Sequence, residues 1–158
     1  MRNSSIICVD ASLIVRLVAF PRDEQIRESW QHLKVAGQLL VAPMLLRYEV
    51  TNAMYRYAKT GTVSMGVVQD ALRAAFALPL ILYSDAELHE RALMMATHFN
   101  LPAAYDAHYL ALAEQVGAAF WTMDRRLVNT VGDALPWVHL VPQSSIQTEE
   151  SHDQDADV

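Results

Sequence analysis

Residues 5–12 read SIICVDAS, and the way that stretch parses decides the fold. Ser5–Val9 is a short run of mostly apolar residues without polar alternation, the pattern of a strand covered on both faces. Asp10 stands at its C-terminal end, and Ala11–Ala19 continues at once with helical spacing, broken by Phe20 and Pro21. The unit is therefore strand, acid, helix. Outward from it the alternation recurs. Asp23–Val35 reads as a helix with Ile26, Trp30 and Leu33 on one face, stopped by Gly37, and Gln38–Ala42 reads as a second strand. Pro43 suits the first turn of a helix running to Lys59 and ended by Gly61, and Ser64–Ala77 is a further helix bounded by Pro79.

Leu80–Tyr83 is a third short strand, and Ser84-Asp85-Ala86-Glu87 has the form of a capping box opening a helix to about His98. Pro102–Val116 reads as a helix closed by Gly117, Ala119–Thr122 as strand four, Asp124–Val131 as a short helix and Trp137–Val141 as strand five. Strands alternating with longer helices argue for an α/β domain, a parallel sheet flanked by helices.

The chain has 158 residues, 53% apolar and 19% charged, which fits one globular domain with a single core and excludes a disordered protein. We place that domain over residues 1–142. From Gln143 onward the sequence is polar and acidic, so residues 143–158 are expected to form a disordered tail. Five of the eighteen acids lie in the last ten residues, so the remainder holds thirteen acids against twelve Lys and Arg. The net charge of −6 therefore says little about whether the body meets nucleic acid. No apolar run approaches the roughly 20 residues a bilayer requires, and the start of the chain lacks a signal-peptide pattern. Cys8 is the single cysteine, which excludes an intrachain disulfide and a cysteine-based zinc site. The expected location is the cytoplasm, with no membrane contact.

Within this frame Asp10, Glu49, Asp106 and Asp124 carry the chemistry. Asp10 and Asp124 each precede a helix, where Asp is a favoured N-cap, and Asp106 lies in a first turn, where the helix dipole favours an anion. Those structural readings weigh about evenly against a functional one. Glu49 is mid-helix among Leu45, Leu46, Val50, Ala53 and Met54, where a carboxylate has no capping role. Asn52, three residues on, shares its face. In an open parallel sheet, ligands bind beyond the C-terminal ends of the strands where strand order reverses. If strands one and four are neighbours there, Asp10 and Asp124 face one crevice, and Glu49 and Asp106 close it from flanking helices. A carboxylate cluster repels itself, and a hard cation such as Mg²⁺ or Mn²⁺, one ion or two, relieves it.

The ordered set I-x-V-D-A-S, Y-E-V-x-N-A, Y-D-A-x-Y-L-A-L-A-E and W-T-M-D-R-R-L, spread over roughly residues 5–141, resembles the PIN-domain nucleases, and within them the VapC-type toxins of toxin–antitoxin pairs. The resemblance implies a PIN-like three-layer fold whose five-stranded parallel sheet has the order 3-2-1-4-5. It implies an Mg²⁺- or Mn²⁺-dependent endoribonuclease acting on RNA, a homodimer, and neutralisation by a cognate VapB-type antitoxin. Asp10, Glu49, Asp106 and Asp124 are the expected catalytic and metal-holding residues.

Ser12 and Thr122 are expected to bond carboxylates or a metal water, with Asn52 beside them. Arg16, Arg47, Arg125 and Arg126, and further along Arg56, are candidates for phosphate contacts, with solvated surface arginine as the even alternative. The histidines form no evident metal set, with His32 and His108 read as isolated. Two rival readings remain open: a non-cleaving module that binds RNA or a partner, and a phosphatase using Asp10 as nucleophile. The second lacks its usual companion acid two residues on, where Ser12 stands.

Overall fold

A computed structural model describes residues 5–142; the segment read as an acidic tail lies outside them. In chain order the elements are β1 (Ile6–Val9), α1 (Ala11–Ala19), α2 (Glu24–Val35), β2 (Leu39–Pro43), α3 (Leu45–Lys59) and α4 (Met65–Phe76). Then follow β3 (Leu80–Tyr83), α5 (Ala86–His98), α6 (Tyr105–Val116), β4 (Ala119–Thr122), α7 (Arg125–Val131) and β5 (Val138–Leu140). The five strands form one sheet in the order β3-β2-β1-β4-β5, every neighbouring pair parallel. The chain thus builds outward from β1 to β3, then returns across the sheet to β4. That reversal puts the switch point between the C-terminal ends of β1 and β4, as the resemblance implied.

β1 takes the centre of the sheet, where Ile7 is buried and Cys8 and Val9 are fully so. Helix α6 lies across β1, β2 and β4 with α5 behind it, while α1 packs on α3 and α4. Ala107 and Tyr109 to Ala113 are all buried in α6, so the middle of that helix is covered while its ends reach solvent. Its alanines let it approach the sheet closely, and the Tyr109 ring stacks on Phe120 of β4 with centroids 5.7 Å apart. Gly117 ends α6 at φ 67°, a left-handed conformation costly for other residues. The Ala118 N–H there returns to the Ala113 carbonyl at 2.8 Å, turning the chain directly into β4. Leu13 and Ile14 of α1 are fully buried, each contributing about 1.5–3 kcal/mol of apolar burial. No helix among the described residues is long and apolar enough to cross a membrane.

Several boundaries differ from the sequence reading, each for a local reason. Pro43 does not open α3. It is the last residue of β2, in register with Tyr83, and Met44 N–H still donates to the Tyr83 carbonyl at 2.7 Å. A proline at a strand end loses no ladder bond that the sheet needs. The expected capping box is not made. Asp85 is the N-cap of α5 without a side-chain cap bond, and its Oδ2 instead accepts from Gln115 Nε2 at 3.3 Å. Helix α6 begins three residues after Pro102, at Tyr105, because 102–104 form a bend. β5 is shorter than expected, although the Trp137 carbonyl and Val141 N–H beyond its ends still bond β4.

Candidate active site

Asp10 has the backbone of an N-cap, with φ −78° and ψ 151°, yet its side chain caps nothing. Its Oδ2 accepts hydrogen bonds from Thr122 Oγ1 at 2.6 Å and from Ser12 Oγ at 2.9 Å. Those hydroxyls are themselves held from β4 and its exit: Met123 N–H donates to Ser12 Oγ at 3.2 Å, and Asp124 N–H donates to Thr122 Oγ1 at 3.0 Å. Asp10 N–H donates to the Trp121 carbonyl at 3.0 Å. The two strand ends are therefore laced together around one carboxylate, itself only 5% exposed beside a fully buried Thr122. The capping reading fails for Asp10.

It holds for Asp124, whose Oδ1 accepts from Arg126 N–H at 2.9 Å and Leu127 N–H at 3.1 Å. Its Oδ2 makes no protein hydrogen bond among the described residues, which leaves that oxygen for a ligand. Glu49 sits in the second turn of α3, and its Oε1 is buried without a hydrogen-bond partner. A bare buried acceptor costs about 1–3 kcal/mol. Asp106 is in the first turn of α6. One turn on, the Tyr109 hydroxyl is also buried with no partner in good geometry, close enough to Glu49 to favour its charged form. The sequence reading has Tyr109 in its Y-D-A-x-Y-L-A-L-A-E motif but gives it no role in the site, although its i+3 spacing from Asp106 puts both on one helix face.

Electrostatics ties these groups into one field. Burial chiefly, then Asp124, raises the Asp10 carboxyl, while bonds from Thr122, Ser12 and the Ala11 backbone pull it back. Burial, then repulsion from Asp10 and Asp106, lifts Glu49 to about 7. Burial, then Asp10 and Asp124, lifts Asp106 to about 6. Burial and the charges of Asp10 and Glu49 push the Tyr109 phenol far above its ordinary range, so it stays a neutral donor. Cys8 is held as the thiol by burial and by Asp10.

No three Asp, Glu, His or Cys side chains among the described residues are gathered tightly enough to grip an ion as they stand. The donor set nevertheless fits a hard divalent cation: it is all oxygen, self-repelling, and includes an orphaned buried acceptor in Glu49.

The remaining candidates sort clearly. Ser12 and Thr122 orient Asp10 as described. Asn52 is exposed on α3 and makes no bond to Glu49. Arg16 is taken up by Asp23 at 2.7 Å and lies over the Phe20 ring. Arg47 lies over Phe76, 5.2 Å from the ring centroid. Arg125 and Arg126 are exposed at the start of α7, beside Asp124. His108 is not isolated: its Nε2 meets His89 Nδ1 at 3.0 Å.

The model of the PIN-domain family matches residues 7–132. Ribonuclease VapC3 of Pyrobaculum aerophilum is 31% identical over 123 residues, spanning 77% of this chain and 91% of that protein. Ribonuclease VapC9 of Mycobacterium tuberculosis is 31% identical over 137 residues, 87% of this chain and 99% of that one. Among solved structures, PAE2754 from Pyrobaculum aerophilum superposes with a TM-score of 0.59 at 25% identity, over 78% of each chain. A toxin–antitoxin complex from Klebsiella pneumoniae gives 0.62 at 17% identity over 87% of this chain and 99% of that one, a likeness of fold.

Proposed function

The chain belongs to the PIN-domain family, and from that premise we propose that it is an Mg²⁺- or Mn²⁺-dependent endoribonuclease of the VapC kind, a toxin neutralised by a VapB-type antitoxin. The observation that carries the reading is the shared field of Asp10, Glu49, Asp106 and Asp124 at the switch point between β1 and β4. The names of its relatives support RNA as the substrate, since VapC3 and VapC9 are called ribonucleases.

Asp10, Glu49, Asp106 and Asp124 would hold one or two ions. A bound cation supplies Lewis acidity toward the phosphate and lowers the pKa of a water. The protein's own part is positional. Thr122 and Ser12 fix the Asp10 carboxylate before anything binds, so no reorganisation is needed there. Asp124 keeps Oδ1 on its helix cap and offers Oδ2. Glu49 keeps its proton up to about 7 and Asp106 up to about 6, and each would have to give it up to hold a cation, so affinity should rise with pH through that range. Arg125 and Arg126 supply positive charge for the RNA backbone at the rim. Leu93 and Met94, each 64% exposed on α5, offer apolar surface for a second copy in a homodimer.

Calorimetric titration with Mn²⁺, paired with RNA cleavage in Mn²⁺ and in EDTA, tests the reading. Wild type should bind and cleave, EDTA should stop cleavage, and Asp10→Asn should lose both while folding normally. Cleavage undiminished in EDTA overturns metal dependence. Bound Mn²⁺ with intact RNA favours the non-cleaving module, and turnover of a generic phosphomonoester favours the phosphatase. Expression alone should arrest bacterial growth and a VapB-type antitoxin should restore it; harmless accumulation overturns the toxin assignment.

A further inference from the structure

At the C-terminal edge of the sheet, the ends of β2 and β3 and the starts of α3, α5 and α6 enclose a cleft of about 450 Å³. That lies within the roughly 300–1,000 Å³ range of small-molecule sites. Its wall carries Tyr48, Tyr83 and Tyr105, with Ser84, His89 and His108 on the polar side. Tyr48 and Tyr105 are 71% and 64% exposed, so neither ring is there to fill the core. Large exposed aromatics gathered at one cleft mark a binding surface. Tyr48 directly precedes Glu49, and Tyr105 directly precedes Asp106. Neighbouring side chains on a helix point to different faces, so what relates the two places is the sheet: the cleft opens beyond the C-terminal ends of β2 and β3, and Asp10 and Asp124 follow those of β1 and β4 along the same edge.

The polar side is ordered as well. His108 Nδ1 lies 2.7 Å from the Ala104 carbonyl, an acceptor only, so that nitrogen donates. His108 Nε2 is then an acceptor, and His89 Nδ1 must donate across their 3.0 Å contact. His89 Nε2 remains as an acceptor, and the exposed Ser84 lines the same cleft. Flat rings, a donor and an acceptor lining one cleft match a nucleobase, which offers two faces to stack on and a hydrogen-bonding edge.

We propose that this cleft is a base-binding subsite, taking an unpaired nucleobase of the RNA next to the scissile phosphate between Tyr48 and Tyr105. It rests on the ribonuclease reading and narrows it: the RNA is single-stranded or looped at the cut, because a stacked duplex keeps its bases out of reach of such a cleft.

The test measures binding by fluorescence anisotropy of a labelled, short, mixed-sequence single-stranded RNA to the full chain carrying the cleavage-deficient Asp124→Asn substitution. Adding Tyr48→Ala or Tyr105→Ala should weaken binding about ten-fold each, the size of one lost stacking contact. Adding Tyr48→Phe or Tyr105→Phe should leave it within about two-fold, since stacking needs the ring. The annealed duplex should bind equally to all these variants. Unchanged affinity for single strands in the alanine variants overturns the subsite. So does a halved mass of those variants in sedimentation with RNA affinity intact, which would show that the tyrosines cover a second copy. If an alanine variant fails to fold, Tyr48→Trp and Tyr105→Trp decide: affinity at least equal to the parent supports stacking, and loss of it overturns stacking. Failure of the ribonuclease reading shows elsewhere, as wild type leaving RNA intact with Mn²⁺ present.

Discussion

Replacing Glu49 by glutamine removes the charge but keeps the shape, and its effect on the metal-free protein follows from proton linkage. In the unfolded chain this carboxyl loses its proton near 4.5; in the folded protein it keeps it until about 7. Between those values the folded state binds more protons than the unfolded one, so stability falls as pH rises through that window and stays lowered above it. Glutamine has no such proton, and its profile lacks that fall. At roughly 1.4 kcal/mol per pH unit the displacement corresponds to ~3 kcal/mol. Solvent screening of the partly exposed carboxylate reduces this to about 1–2 kcal/mol. Thermal melts in EDTA should therefore show Glu49→Gln close to wild type at pH 5 and roughly 3–8 °C more stable at pH 8. Saturating Mn²⁺ should reverse the order at pH 8, because only wild type gains the full binding free energy. A variant no more stable than wild type at pH 8 without metal, or a gap that does not widen from pH 5, refutes the idea that Glu49 is held in a repelling field.

Other substitutions separate structure from chemistry. Asp124→Asn keeps a good N-cap and should abolish RNA cleavage with little loss of stability, whereas Asp124→Ala should also cost about 1 kcal/mol, read by urea titration. Thr122→Val strips the hydroxyl from a fully buried position and leaves Asp124 N–H unpaired; it should cost about 1–3 kcal/mol. The same change should lower the cleavage rate roughly ten- to hundred-fold, and Thr122→Ser should recover both. A Cβ at Gly132 would meet the Val128 carbonyl oxygen at 2.6 Å. Gly132→Ala should thus destabilise by about 1–3 kcal/mol while leaving cleavage per folded molecule unchanged in a stability-matched assay.

The acids were legible in the sequence because strand ends and helix starts are local events. Asp10 after SIICV and Asp124 after AFWT mark the switch point without any knowledge of packing. Glu49 stood out because a mid-helix carboxylate among apolar residues has no local partner. The order of the strands came from the family resemblance, since short buried strands carry no record of which neighbour they choose. What stayed hidden depends on contacts between distant segments. Tyr109 looks like any apolar position of a helix until β1 and α3 are laid against it. His89 and His108 meet only because α5 packs on α6. Pro43 has the local chemistry of a helix start, and only its pairing with Tyr83 keeps it in the sheet. The box Ser84-Asp85-Ala86-Glu87 is locally sound, but α5 starts one residue later, with Asp85 as its N-cap, and the Asp85 carboxylate bonds Gln115 of α6.

The lacing of Asp10 to Thr122, Met123 and Asp124 joins the two strands at the middle of the sheet, where Cys8, Val9 and Phe120 are fully buried. Amides there exchange with solvent only when the whole domain opens, unlike those of fraying edges. The Asp10 amide, bonded to Trp121, should accordingly be among the slowest to take up deuterium. A cell cannot silence such a centre by melting one loop, because its geometry persists for as long as the domain is folded. Control has to come from outside, by obstructing the cleft or by destroying the entire chain. An intact molecule released from either restraint then needs only its cation, with no slow refolding of its centre to wait for.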